Sequence, residues 1–209
     1  MKTKSIVITC AVVFAFAAGI LSSYTADDEG FTPLFNGKDL TGWKLRNPNG
    51  KNFWVVEEGG VLRNKLPKGE HGTDLISEKK FKNFTVKYEY MVPDGSNSGF
   101  YLRGRYEIQI LGDYKSGKTG KGGNGAIYAF KEPDVFVSKP GDQWQTVEAT
   151  IIGNRITVIM NGKKIHNNVE VPAPTGGELD RNVNEPGPIM LQGDHGEVAF
   201  RNIRIKELP

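Results

Sequence analysis

One stretch of the sequence, NSGFYLRGRYEIQIL (97–111), places apolar and polar side chains at alternating positions. Alternation with a period of two is typical of a β-strand with one buried face. Glu107 and Gln109 fall on the polar face, and Arg103 joins them if the strand continues through Gly104. A bulge at this glycine would move the arginine to the other face. Carboxylate, amide and guanidinium groups form paired hydrogen bonds, which is the chemistry that binds polyhydroxylated ligands such as sugars.

Aromatic residues accompany this polar face. Tyr101 has the same parity as Glu107, and Tyr128 follows a glycine-rich segment. Ligand grooves combine a few planar polar groups with aromatic faces, and in a jelly roll the concave sheet provides such a groove. We therefore predict a substrate-binding set around Glu107 that consists of Tyr101, Arg103, Gln109 and Tyr128. The alternative is a solvated sheet on which arginine and glutamate form an ion-pair ladder.

His195 is the second candidate for acid–base chemistry. It lies next to Asp194 in LQGDHGEVAF (191–200), with a glycine on either side of the pair. Glycine allows the backbone to bend there and present the imidazole, whose ordinary pKa lies near neutral pH. We predict Glu107 and His195 as the catalytic residues, with Asp194 among the substrate-binding residues. The alternative for His195 is a turn histidine without a catalytic role.

Other kinds of catalytic centre find little support in the sequence. Cys10 is the only cysteine and lies near the N-terminus, and there is no G-x-S-x-G motif. No spacing of His, Asp and Glu is typical of a zinc site. No cofactor is evident, although a structural or catalytic divalent metal stays open because calcium ligands are scattered over loops. His71 and His166 are predicted to be solvated.

The segment GDYKSGKT (112–119) fits the pattern of a phosphate-binding P-loop. A P-loop depends on a helix that begins directly behind it and points backbone N–H groups at phosphate. Here the chain continues as GKGGNGAIY, which is too rich in glycine to begin a helix. We therefore predict no nucleotide binding, and a long loop at the rim of a site.

The N-terminal residues 1–26 have the layout of a secretory signal peptide. Lys2 and Lys4 precede an apolar run over residues 6–21, and small and polar residues follow. We predict a secreted or periplasmic bacterial protein without stable membrane insertion after signal cleavage; an uncleaved N-terminal anchor is the alternative.

The 209 residues carry a formal net charge of +3, and removal of two lysines leaves 25 basic and 24 acidic residues, or +1. This balance predicts no nucleic-acid partner.

Runs with a period of two recur along the rest of the chain, and no window shows a sustained helical period. Gly, Pro, Asn and Asp separate these runs, a pattern typical of an antiparallel sandwich or jelly roll. Asn161 and Gly162 favour the positive φ angles of a type I′ hairpin turn, and a looser turn is expected at Gly153. Residues 144–166 are therefore predicted to form a three-strand meander. We predict an all-β fold with one domain over 27–209.

Six fragments of the sequence together resemble the 3-keto-disaccharide hydrolase family. They extend from Phe31 to the C-terminus and read FTPLFNGKDLTGWK, FWVVEEGGVL, NSGFYLRGRYEIQIL, GAIY, GDQWQTVEATIIGNRITVIMNGKKI and LQGDHGEVAFRNIRIKEL. The resemblance implies a concanavalin A-like or laminarinase-like jelly-roll sandwich of two antiparallel sheets, exported by bacteria and acting on glycans with a ketone at C3. By motif position it also implies functional roles for Arg103, Glu107, Gln109, Tyr128, His195 and Arg201. The family often reads QILD, whereas Gly112 precedes Asp113 here, so no role is carried over to this aspartate.

A ketone at C3 changes what such a site must do. One base removes the proton on C2, the enolate expels the C1 substituent by β-elimination, and water then adds. Glu107 or His195 is the expected base, and Arg103 or Arg201 is the expected donor to the enolate oxygen. The expected partner is an oligosaccharide or glycoside. Two alternatives are a carbohydrate-binding module without turnover and a conventional glycoside hydrolase with two carboxylates.

Overall fold

The computed structural model describes residues 29–209, which form two antiparallel β-sheets. Sheet A contains eight strands: β1 (Thr32–Pro33), β3 (Trp54–Glu57), β4 (Val61–Asn64), β6 (Phe84–Met91), β9 (Gln145–Ile152), β10 (Arg155–Met160), β11 (Lys163–Glu170) and β13 (Val198–Glu207). Sheet B contains five: β2 (Trp43–Leu45), β5 (Leu75–Phe81), β7 (Asn97–Leu102), β8 (Tyr106–Leu111) and β12 (Gly187–Leu191). Within this range the one helical element is a three-residue 3₁₀ turn, Tyr114–Ser116.

Many strands that follow each other in sequence lie on different sheets. Sheet A runs β11-β10-β9-β6-β13-β4-β3, with β1 on part of β13, and sheet B runs β2-β5-β12-β7-β8. The chain therefore crosses between the sheets several times, as in a jelly roll. The all-β sandwich of two antiparallel sheets predicted from the period-two runs is confirmed.

The hydrophobic core lies between the two sheets. Alternate residues of β6 are buried, namely Phe84, Val86, Tyr88 and Tyr90. Tyr88 of sheet A stacks on Phe100 of sheet B, with ring centroids 3.8 Å apart and ring planes 4° apart. Burial of each such side chain contributes about 1.5–3 kcal/mol, so the inner faces hold the sheets together. The outer face of sheet B is left to carry polar groups.

Strands β9, β10 and β11 form the predicted meander. In the turn between β10 and β11, Asn161 and Gly162 have φ angles of 50° and 75°, as a type I′ turn requires. Gly153 has a φ angle of 58° in the turn between β9 and β10. Both turns that the sequence predicts in this region are therefore confirmed.

His166 is buried, so the prediction of a solvated histidine is wrong. Strand β11 pairs with β10 through two register shifts, and the consecutive residues Ile165 and His166 are both buried. His166 Nε2 donates to the carbonyl oxygen of Gly125 at 2.8 Å. Burial lowers the pKa of His166 and favours the neutral ring. Regular alternation cannot reveal such a shift in pairing. His71 is exposed, as predicted.

One continuous core cluster draws residues from Phe35 to Ile205. The predicted signal peptide, residues 1–26, lies outside the described residues, so this assignment and the domain boundary at residue 27 stay predictions. Among residues 29–209, no helix is long and apolar enough to cross a membrane.

Candidate active site

The stretch 97–111 folds as a tight hairpin rather than as one strand. Arg103 and Gly104 have φ angles of 54° and 64°, and the Arg105 N–H donates to the Leu102 carbonyl at 3.1 Å. Strands β7 and β8 then pair back on each other. The prediction that Arg103 shares a strand face with Glu107 is wrong, because these two positive φ angles reverse the chain at 103–104.

The hairpin nevertheless gathers polar groups on the outer face of sheet B. Tyr101 pairs with Glu107 and Gly99 pairs with Gln109, while the alternate residues Phe100 and Ile108 are buried in the core. Because paired residues on adjacent strands point to the same face, Tyr101, Glu107 and Gln109 project together. The alternation in the sequence identified this face correctly within each strand.

Glu107 occupies a protected position on this face and is only 2% exposed. The Tyr101 hydroxyl donates to Glu107 Oε2 at 2.9 Å. The glutamate side chain lies over Gly99, where a Cβ atom would overlap Glu107 Oε1. Burial raises the pKa of Glu107 to about 7, against the opposing effects of the Tyr101 hydrogen bond and the nearby His195. A carboxyl group with such a pKa can accept or donate a proton near neutral pH.

Around Glu107 the outer face forms a cavity of about 230 Å³. The lining residues come from strands β7 and β8 and from three loops: Asn97, Tyr101, Glu107, Gln109, Tyr128, Gly176, Gly177, Gln192 and His195. His195 arrives on the loop after β12, and its Nδ1 lies 2.5 Å from Asp194 Oδ1. This contact fixes the ring and leaves Nε2 for other partners. Tyr128 is placed by its N–H, which donates to the Glu107 carbonyl at 3.1 Å.

A loop over residues 175–180 covers one end of the cavity. The Glu107 N–H donates to Thr175 Oγ1 at 2.9 Å, and the Tyr101 hydroxyl also lies 3.1 Å from the Gly176 carbonyl oxygen. Arg46 directly follows β2, and its guanidinium group donates to the carbonyl oxygens of Gly177 and Glu178 at 3.0 and 3.1 Å. These bonds hold the loop against the outer face of sheet B.

Asn97 and Gln192 are cavity residues that the sequence analysis missed. Asn97 Oδ1 and Gln192 Oε1 are buried, and within residues 29–209 neither oxygen has a hydrogen-bond partner. Buried polar atoms are normally paired, so both amides are ready to bind a polar ligand. A signal was available for Asn97, which has the same parity in β7 as Tyr101. Gln192 directly follows β12 and its N–H donates to the Gly99 carbonyl at 2.9 Å.

Residues 30–206 match the sequence profile of the 3-keto-alpha-glucoside-1,2-lyase-like domain. The chain belongs to this family. It is 30% identical, over 238 residues, to a 3-keto-disaccharide hydrolase of Bacteroides thetaiotaomicron, covering 87% of this chain and 80% of that protein. The resemblance read from the six fragments is thereby confirmed.

Solved structures agree with the fold of this 3-keto-alpha-glucoside-1,2-lyase-like domain. A Parabacteroides distasonis protein, provisionally assigned as a glycosyl hydrolase, matches with a TM-score of 0.69 and 29% identity, over 86% of this chain and 84% of that one. A Bacillus licheniformis beta-glucanase matches with a TM-score of 0.53 and 17% identity, over 85% and 97%. The second likeness concerns the fold alone and supports the predicted concanavalin A-like jelly roll.

Two arginines predicted to bind substrate lie elsewhere in the lyase-like domain. Arg103 is 1% exposed, donates from Nη2 to the Gly153 carbonyl at 2.5 Å and packs over the Tyr106 ring. Arg201 lies on β13 of sheet A, bonded to Glu89 at 2.7 Å and stacked 4.0 Å from the Trp144 ring centroid. Neither arginine is among the residues that line the cavity around Glu107, so the structure does not place them beside the other predicted substrate-binding residues.

The P-loop-like segment 112–119 has no helix behind it in the described chain. Its one ordered turn, Tyr114–Ser116, ends at Gly117, whose φ angle is 63°. The following glycine-rich residues border the cavity instead, since Gln109 Nε2 donates to the Gly122 carbonyl at 3.3 Å. The helix that a P-loop requires is therefore missing from this position.

Within residues 29–209, no three His, Cys, Asp or Glu side chains converge to hold a metal ion.

Proposed function

We propose that this domain cleaves the glycosidic bond of 3-keto-glycosides in the cavity around Glu107. Membership of the lyase-like family supports a glycosidase-type enzyme, and the named relative acts on 3-keto-disaccharides. The observation that carries the proposal is a nearly buried carboxyl group with a pKa near 7, which faces His195 across a small polar cavity. Such a group suits proton abstraction next to a carbonyl.

Glu107 is the base in this proposal. Its carboxylate takes the proton from C2, the C2–H electron pair becomes the new C2–C3 double bond, and the carbonyl π pair moves onto the C3 oxygen to give an enolate. When the enolate reforms the ketone, the C1–O bond breaks and leaves a C1–C2 double bond. Water then adds its oxygen to C1 and gives a proton to His195, while the Glu107 carboxyl group, whose proton has exchanged with solvent, delivers a proton to C2. The sum is hydrolysis, with the base restored.

His195 and Tyr101 supply the other protons and hydrogen bonds. His195, oriented by Asp194 at Nδ1, protonates the leaving oxygen from Nε2. Burial and the adjacent Glu107 raise the pKa of Tyr101, so its hydroxyl keeps its proton and remains a donor. The amides of Asn97 and Gln192 line the same cavity, and their unpartnered oxygens accept hydrogen bonds from sugar hydroxyls.

The composition of the cavity favours this route over conventional glycoside hydrolysis. Conventional enzymes use two carboxylates on either side of the glycosidic bond. Among the described residues that line the cavity, Glu107 is the only one with a carboxylate. One base beside one imidazole is sufficient for elimination from a 3-keto sugar and insufficient for the two-carboxylate mechanism.

A pair of matched substrates tests the proposal. In deuterated water, a 3-keto-glucoside should be cleaved and the released ketosugar should carry deuterium at C2. The unoxidised glucoside should be inert, because its C2 proton has no neighbouring carbonyl. Cleavage of both glucosides at similar rates, without deuterium at C2, would indicate a conventional hydrolase. Binding without cleavage would indicate a carbohydrate-binding module.

We also propose that the protein is exported, on the basis of the basic start and apolar run in residues 1–26. Expression of the full chain in a bacterium, followed by fractionation and intact-mass measurement, tests this. A periplasmic product shortened near residue 26 is expected. A full-length product retained with the membrane would support the uncleaved anchor.

A further inference from the structure

Two depressions adjoin the Glu107 cavity and share wall residues with it. Tyr128 and Gly176 line both the cavity and a depression of about 210 Å³. His195 lines both the cavity and a depression of about 370 Å³. His195 follows β12 near the start of β7, whereas Tyr128 bonds to the backbone of Glu107 near the other end of the hairpin. The cavity is therefore flanked by a depression on two sides.

The two depressions differ in chemistry. The one beside His195, here called the charged depression, includes the charged residues Lys68, Glu70 and Glu197. The one beside Tyr128, here called the apolar depression, is lined by Tyr128, Ala129, Phe130, Pro172, Ala173, Pro174, Thr175 and Gly176. Phe130 is 41% exposed there although it is a large apolar side chain. Large apolar groups exposed beside a polar cavity are typical of a binding surface.

The apolar depression offers few partners for sugar hydroxyls. Its two side-chain hydroxyls belong to Tyr128 and Thr175, and the Thr175 hydroxyl already accepts from the Glu107 N–H and donates to the Arg105 carbonyl. A sugar ring bound here would leave most of its hydroxyls without partners, which costs free energy. An apolar group would lose no hydrogen bonds and would cover the Phe130 ring.

Tyr128 and Gly176 together form the boundary between the cavity and the apolar depression. Gly176 passes the Tyr128 ring so closely that a Cβ atom at position 176 would lie 3.3 Å from Tyr128 Cε1. Because these two residues line both spaces, a substituent on a sugar in the cavity has to extend only beyond Tyr128 and Gly176 to reach the depression. On the opposite side, His195 lies between the cavity and the charged depression, so a leaving group protonated by His195 exits there.

We propose that the apolar depression binds an apolar acyl group, carried as an ester on the 3-keto ring at a position away from the leaving oxygen. The substrate class would then be acylated 3-keto-glycosides, with the ring in the Glu107 cavity and the acyl group against Phe130. This inference rests on the proposed function for the placement of the ring. The binding of the acyl group itself can be measured without any cleavage.

The experiment compares methyl glucoside with its 6-O-benzoyl and 4-O-benzoyl esters, first unoxidised and then as 3-ketones. Ligand-observed NMR titration gives the affinity of the unoxidised compounds, and initial rates give kcat/KM for the 3-ketones. At least one ester should bind about tenfold more tightly than the parent, and its 3-ketone should show a higher kcat/KM. The leaving group is methanol throughout, so differences in leaving-group reactivity do not enter.

Two variants place the effect in the apolar depression. Phe130→Ala removes the exposed ring, and Ala173→Asp introduces a charge at an exposed position of the same surface. Each should remove most of the advantage of the ester and leave the rate on the unesterified 3-ketone unchanged. Val135→Ala is the matched control, because Val135 is an exposed apolar residue (44%) outside this lining. It should change neither rate.

The outcomes separate this inference from the proposed function. If neither ester binds more tightly than methyl glucoside, or if Phe130→Ala affects parent and ester equally, the acyl site is wrong. If an ester binds through Phe130 but no 3-ketone is cleaved, the acyl site stands and the proposed reaction is wrong. Cleavage of the parent 3-ketone with no preference for an ester supports the reaction and refutes the acyl site.

Discussion

The Tyr101 hydroxyl donates to Glu107 Oε2 at 2.9 Å, and the two residues face each other across the β7–β8 ladder. The pairing register fixes this contact, because a slip by one residue would turn one of the side chains into the core. The phenol stabilises the carboxylate, while burial opposes ionisation more strongly. The net result is a carboxyl group that changes charge near neutral pH at a fixed place in the cavity.

Replacement of Glu107 by glutamine should lower kcat by about 10²–10⁴-fold, because the amide cannot accept the C2 proton. Glutamine retains the size of the side chain and an oxygen that accepts from Tyr101, so the fold should persist. Steady-state kinetics on a 3-keto-glucoside and a circular dichroism spectrum check both points. Glu58→Gln, at an exposed position in the turn after β3, is the matched control and should retain full activity. Near-full turnover by folded Glu107→Gln would exclude Glu107 as the base.

His195→Ala should lower kcat most for substrates with poor leaving groups, because the imidazole protonates the leaving oxygen. Asp194→Asn should have a smaller effect, since it weakens the contact that orients the ring through Nδ1. The measurement is kcat for a series of 3-keto-glucosides whose leaving alcohols differ in pKa. The slope of log kcat against leaving-group pKa should steepen in His195→Ala. An unchanged slope would remove His195 from this role.

The pH dependence of kcat/KM should follow Glu107. Burial raises its pKa to about 7, and the carboxylate is the active form in the proposed mechanism. On the acid side of the profile, the rate should therefore increase with pH through an inflection near pH 7. The same inflection should be absent from the residual rate of Glu107→Gln. A profile that is flat between pH 5 and 8 in the unsubstituted enzyme would contradict this assignment.

The same shift predicts a pH-dependent stability. The pKa of Glu107 is about 7 in the folded protein and about 4.5 in the unfolded chain. Between these values the folded state binds more protons than the unfolded state, so the free energy of unfolding falls as the pH rises through this window. The change is on the order of 2–3 kcal/mol. Urea unfolding at pH 4.5 and pH 8 should show a smaller fall for Glu107→Gln than for the unsubstituted protein; equal falls would refute the shift.

Replacement of Arg46 by alanine should loosen the loop over residues 175–180 without unfolding the sandwich. The guanidinium bonds to the carbonyl oxygens of Gly177 and Glu178 and to Asp74, all at 3.0–3.1 Å. We expect kcat/KM to fall about tenfold, because a displaced loop misplaces substrate. Arg181→Ala, on an 87% exposed side chain near the same loop, is the control. Equal kinetics for the two variants would show that the Arg46 bonds do not matter for activity.

The sequence predicted the sheets and much of the cavity, and the reasons are physical. Alternation within 97–102 and 106–111 correctly separated the core face from the face with Tyr101, Glu107 and Gln109, because side chains alternate in any strand. It did not reveal that Arg103 occupies a turn, since a non-glycine residue with positive φ is uncommon.

The sequence also could not predict which residues from distant segments of the chain come into contact. Arg201 contacts Glu89 of β6 and Trp144, which directly precedes β9, and no local sequence pattern predicts either contact. Tyr128 and His195 were named from their local glycine context, and the structure brings both to the cavity although they come from distant segments. Asn97 was visible by parity and overlooked, whereas Gln192 lies beyond the end of its strand.

Gly99, on the strand next to Glu107, leaves the space that the Glu107 carboxylate occupies. The Glu107 carboxylate fills the space where any other residue at position 99 would carry its Cβ atom. The proposed catalytic base therefore occupies space that the absent side chain of position 99 leaves free, and this space cannot hold a Cβ atom as well. A relative could retain every polar residue of the cavity and the complete sandwich. If its residue 99 carried a Cβ atom, the carboxylate could not occupy this position. Whether position 99 is glycine is thus a simple criterion for separating relatives able to bury this carboxylate from relatives that have retained only the fold.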